Sequence, residues 1–105
     1  MDIAELEDKA SEASNLLKVM SNQWRLLIMC NLMQGEHSVQ DMQKRIGLGQ
    51  SALSQHLAIL RHERLVETRR EAQSIYYSIA SAEAERLLAT LYDIYCTEDM
   101  VKMLS

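Results

Sequence analysis

The side chains best suited to recognising a partner by hydrogen bonding lie close together: Gln50, Ser51, Ser54, Gln55 and Arg61, with His56 and His62 nearby. At helical spacing they leave Leu53, Leu57 and Leu60 as an inward stripe and themselves as an outward face. Short polar and amide groups on an exposed helix are the types that reach base edges in a DNA major groove, and Gln can pair bidentately with adenine. Downstream, Arg69 and Arg70 suit phosphates or a minor groove, and Gln73 is the polar group nearest a turn. The two cysteines, Cys30 and Cys96, form no CxxC pair, and by spacing alone they read as small buried hydrophobes. His37, His56 and His62 lack i, i+4 partners, which argues against zinc, and Met20, Met29, Met33 and Met42 sit on aliphatic faces as core filler. No acid/base pair, Gly-rich phosphate loop or Ser/His/Asp set is present, so neither an enzyme nor a bound cofactor is expected.

The elements that must position these groups follow from periodicity and punctuation. Ile3 to Met20 holds no Gly or Pro and carries an intermittent stripe of Ile3, Leu6, Ala10, Ala13, Leu16, Leu17 and Met20, an amphipathic first helix. Ser21 or Asn22 caps a second helix that is apolar nearly all round and is expected at the buried centre, ended by Gly35. Ser38, with Asp41 three residues on, is a variant capping box opening a third helix at Val39, with Val39, Met42 and Ile46 inward. Gly47-Leu48-Gly49 breaks that helix, both glycines giving access to φ > 0 over a buried Leu48, and Gln50 or Ser51 opens the fourth. After Leu65 the period changes to about two: Val66–Arg70 and Ser74–Ile79 read as a β-hairpin joined by Glu71-Ala72-Gln73. Ser81 caps a last helix with Glu83 and Glu85 in its first turn, and residues from about Thr97 are expected to fray. The expected fold is therefore mainly α with a small β-hairpin, in the order α-α-α-α-β-β-α: a winged helix-turn-helix.

A chain of 105 residues, 48% hydrophobic and 25% charged, fits one globular domain over residues 1–105, and no apolar run approaches the roughly 20 residues of a membrane span. Asp2, Glu5, Glu7, Asp8 and Glu12 are the opposite of a basic leader, so a cytoplasmic location with reduced thiols is expected. The net charge of −4 argues at first against nucleic acid, but its distribution reverses the argument. Residues 1–40 carry six acids against three bases and residues 81–105 five against two, whereas residues 41–80 carry four acids against six bases. Positive charge gathers at the candidate reading head. The surplus of apolar residues on the first and last helices calls for a second copy of the chain, and a homodimer would place two reading helices about 34 Å apart on a palindrome.

Arg25-Leu26 with its apolar run, SxxSQHLxxLR over Ser51–Arg61, Leu65-Val66-Glu67, and Tyr76-Tyr77 with Ile79 resemble the ArsR family of small winged helix-turn-helix repressors, over roughly Leu16 to Cys96. Within it the likeness is to the metal-independent branch of BigR, SqrR, YgaV and HlyU. The Cys-x-Cys-like pair or Asp/His set through which other members bind metals is missing: the third helix starts SVQDM and the last holds no His. The chain also departs from the family at Ala72-Gln73 and at Arg64, where Gly is usual, and a longer or looser hairpin turn is expected at the first. The resemblance implies a homodimeric transcriptional regulator of double-stranded operator DNA. It further implies that Cys30 and Cys96 match a thiol switch, joined directly or through added sulfur by a sulfane sulfur or persulfide inducer, with loss of operator binding. An HlyU-like activator that displaces a silencer is the close alternative, and a protein-interaction module the more distant one.

Overall fold

The computed structural model describes residues 2–96 as five helices and a small antiparallel sheet. Helix α1 (Ile3–Met20) starts at Asp2, whose carboxylate accepts from the Glu5 N–H at 2.8 Å, and α2 (Gln23–Leu32) starts at Asn22, whose side chain accepts from the N–H groups of Trp24 and Arg25. Each cap satisfies donors that a helix start leaves without partners. A two-residue strand β1 (His37–Ser38) leads directly into α3 (Val39–Ile46), and α4 (Gln50–His62) follows the turn. The hairpin is β2 (Val66–Glu71) and β3 (Ser74–Ile79), and α5 (Ala82–Tyr95) closes the described chain, with Ser81 Oγ accepting from the Ala84 N–H. Residues from Thr97 on, where fraying is expected, lie outside the described residues.

The core takes a contribution from each of the five helices: Ile28, Met29 and Leu32 of α2, Met42 of α3, Leu53, Leu57 and Leu60 of α4, Ala84 and Leu88 of α5, and the last turn of α1 through Val19 and Met20. Burying each large side chain stabilises the fold by about 1.5–3 kcal/mol. The hairpin is anchored at its base by Leu65 and Val66.

Four expectations change. The sheet has three strands in the order β1-β3-β2, because His37 and Ser38 pair with Tyr77 and Tyr76; two residues carry too little pattern to announce a strand. The hairpin turn is tight, not loose: Glu71 pairs with Ser74, leaving Ala72 and Gln73 alone at the tip, with Ala72 at φ 55°. In the α3–α4 turn Gly47 is left-handed (φ 75°) but Gly49 is not (φ −61°), and it caps α4 without a side-chain bond. Helix α2 is buried on one side only; Trp24, Leu27 and Cys30 are exposed, and of the described residues of α1 only Val19 and Met20 are fully buried.

Candidate nucleic-acid interface

The reading surface is built from α3 outward. Ser38 Oγ accepts from the Asp41 N–H at 3.1 Å, which starts α3, and the Gly47 N–H donates to Gln43 to end it. Only half of the expected capping box forms. The Asp41 carboxylate accepts from His37 Nδ1 at 2.5 Å and from Arg45 Nε at 3.3 Å, and it is held below the usual carboxylate range chiefly by His37. The turn then delivers α4 with Leu53, Leu57 and Leu60 fully buried.

That burial sets the direction of every other α4 side chain. At about 100° per residue, Ser51, Gln55, Ala58 and His62 point away from the core, and all four are exposed. Gln50, Ser54 and Arg61, also exposed, flank them on one side. Ser54, Ala58, Arg61 and His62 form one wall of an open cleft of about 460 Å³, whose other wall is Val39 and Tyr77 at the root of the hairpin. Gln73 and Arg70 are exposed toward the hairpin tip.

Two expected members of this surface are occupied elsewhere. His56 is half-buried on the flank facing α2, with Nδ1 3.4 Å from Arg25 Nη1, while Arg25 Nε donates to the Val19 carbonyl at 2.6 Å. Burial first, and the Arg25 charge second, push the imidazole below its ordinary value. Through Arg25 it joins the middle of α4 to the end of α1 and the start of α2 instead of facing outward. Arg69 donates to Glu36 through Nε and Nη2 and to Glu71 through Nη1, and its guanidinium lies 4.7 Å from the Tyr76 ring centroid. Conversely, His62 stands on the outward face, as its place two helical turns, seven residues, after Gln55 requires.

Of the six bases in residues 41–80, Arg45 and Arg69 are paired with acids, whereas Lys44, Arg61, Arg64 and Arg70 make no ion pair among the described residues. The positive balance of this segment is therefore carried by side chains free to meet an external anion.

Away from this face, Cys30 is exposed on α2 and Cys96 half-buried just beyond α5, both as free thiols. The Cys30 thiol is pushed up by partial burial and then by the charge a Cys96 thiolate would place near it, so each lies within electrostatic reach of the other. Cys30 shares a shallow recess with Leu26, Leu27, Ser21, Asn22 and Gln23. No group of three or more His, Cys, Asp or Glu side chains among the described residues converges as a metal site. No helix among them is long and apolar enough to cross a membrane.

Residues 22–68 match the family described as bacterial regulatory protein, arsR family. The chain is 43% identical to the biofilm growth-associated repressor of Xylella fastidiosa over 90% of its own length and 83% of the relative's. It is 45% identical to the transcriptional activator HlyU of Vibrio cholerae over 91% of its length and 89% of the relative's. The solved structure of reduced HlyU from Vibrio cholerae superposes with a TM-score of 0.87 at 44% identity, covering 90% of this chain and all of that one.

Proposed function

The chain belongs to the arsR family of bacterial regulatory proteins and is a winged helix-turn-helix transcriptional regulator, and on that premise we propose that it acts as a homodimeric repressor in the cytoplasm, releasing operator DNA when Cys30 and Cys96 are linked. The observation that carries the reading is the outward face of α4, where Ser51, Gln55 and His62 stand opposite a fully buried leucine stripe. In this reading Gln50, Ser51, Ser54 and Gln55 meet base edges, with His62 beside them. Arg61, Arg70 and Lys44 meet phosphates, and Gln73 enters the adjoining minor groove.

The dimer is supported by apolar surface that one protomer leaves uncovered. Ile3 and Leu6 of α1 are 74% and 57% exposed, and Ile94 and Tyr95 of α5 are 62% and 70% exposed. Faces of this kind are stable in water when a second copy covers them. In the sensing step a Cys30 thiolate attacks the sulfane sulfur of a persulfide RS–SH, expelling the thiol RSH and leaving Cys30 as a persulfide. The Cys96 thiolate then attacks the Cys30 sulfur, expelling hydrogen sulfide and closing a disulfide; a further sulfane sulfur inserted before closure leaves a longer bridge. Either bridge tethers α2 to the end of α5, an element of the proposed interface, and so alters the spacing of the two reading helices.

Fluorescence anisotropy with duplex DNA tests the assignment. Gln55→Ala should lose base preference, while Arg70→Ala should weaken all sequences alike and lower the salt slope by about one. Equal affinity in both variants would remove the interface. Cys30→Ser should bind DNA yet ignore persulfide, and a full response in that variant would place sensing elsewhere. A second reading has one observation in its favour, the 45% identity to a protein named as an activator: the same DNA contacts would then displace a silencer, and transcription would rise, not fall, with occupancy.

A further inference from the structure

Arg69, Tyr76 and Ser38 lie side by side on one face of the sheet, because Arg69 is paired with Tyr76 across β2 and β3, and Ser38 with Tyr76 across β1 and β3. Tyr77 and Ile79 alternate to the opposite face, against the core. Glu36 stands just before β1. The Arg69 guanidinium passes over the Tyr76 ring, crosses the central strand, and meets Glu36 with Nε at 3.0 and 2.8 Å and Nη2 at 2.5 Å. Nη1 donates to Glu71 at 2.8 Å, so all three nitrogens are engaged inside the protein. With two carboxylates on one guanidinium the local charge is already negative, and an approaching phosphate would be repelled.

The position of this link gives it a mechanical role. The hairpin projects from the body and is held at its base by Leu65 and Val66, while its outer strand β2 has no ladder partner except β3 among the described residues. Ser38, the last residue of β1, is also the residue that caps α3. A bond from Arg69 to Glu36 therefore joins the outer strand of the hairpin to the segment that opens the helix-turn-helix.

We infer that Glu36, Arg69 and Tyr76 form a strap that sets the angle of the wing relative to α3 and α4, making Arg69 a positioning residue and not a phosphate ligand. This rests on the DNA-binding function proposed above. A wing held at a fixed angle reaches its groove without losing hinge freedom on binding, so the strap acts on affinity through pre-organisation.

The test uses Glu36→Gln, Arg69→Gln and the double variant of the full chain. Hydrogen exchange on the free protein reads the wing, and anisotropy with a mixed-sequence duplex across a salt series reads its consequence. Exchange at the hairpin amides of β2 and β3 should quicken by about two- to fivefold in each variant, the range an exposed ion-pair network supports. Affinity should fall by a similar factor in each single variant, the double variant should be no worse than the poorer single, and the salt slope should not move. Unchanged exchange in Glu36→Gln would overturn the strap. So would tighter binding in Glu36→Gln or a slope lowered by about one in Arg69→Gln, either of which would make Arg69 a masked phosphate contact. If the unaltered protein ignores the duplex at low salt, the DNA reading fails while the exchange data still decide whether the brace exists.

Discussion

At Arg64 and Ala72 the backbone enters the left-handed region, with φ of 61° and 55°, where a Cβ is unfavourable. Arg64 turns the chain out of α4: its N–H donates to Arg61 and that of Leu65 to Leu60, which delivers Leu65 and Val66 to the core. Arg64→Gly should therefore raise stability by about 1 kcal/mol in urea unfolding, and a loss would mean that the Arg64 side chain makes a compensating contact. Cys30 supplies a second residue-level expectation. Its thiol is raised by burial and by Cys96, so its alkylation rate should rise with pH beyond the ordinary thiol range, and Cys96→Ser should shift that profile toward lower pH without abolishing the burial contribution. Mass-spectrometric rates of iodoacetamide labelling check both. The departure at Arg64, arginine where glycine is usual, is legible in the sequence, but its conformation is not, because composition does not say whether a chain tolerates strain or reroutes around it.

At the level of elements, α3 shows how a short helix is held where it is needed. Ser38 supplies its cap, and Ser38→Ala should cost about 1 kcal/mol of stability by thermal or urea unfolding. Asp41 in its first turn is depressed by His37 and Arg45, and Glu36 is depressed by Arg69. Carboxylates lowered in the folded state release protons more readily than in the unfolded chain, so their stabilisation is present above the ordinary carboxylate range. It declines as pH falls below about 4 and through their folded values. Asp41→Asn should flatten part of the acid limb of a stability–pH curve; an unchanged limb would mean that the His37 contact does not persist in solution. The caps at Ser38 and Ser81 and the stripe of α4 were legible from spacing. Which way Asp41 would turn was not, since the competing partner, His37, is brought in by a strand too short to see.

For the whole molecule, the decisive feature is that α1 and α5 carry more apolar surface than one core absorbs. If a second copy covers it, Leu17→Glu with Tyr95→Glu should convert the protein to a monomer by sedimentation velocity and weaken duplex binding strongly, because one reading head seldom binds tightly alone. A dimer that survives both changes would place the interface elsewhere. Local information, which depends only on neighbours three or four residues away, was enough to settle the order of helices and hairpin, the leucine stripe of α4 and the gathering of positive charge between residues 41 and 80. Contacts between segments distant along the chain decided the rest. His56 was turned toward Arg25, Arg69 was drawn across the sheet to Glu36, and β1 was recruited to β3. Each partner lies more than thirty residues away, so no spacing rule could select it, and only the packed fold brings such groups within hydrogen-bonding distance.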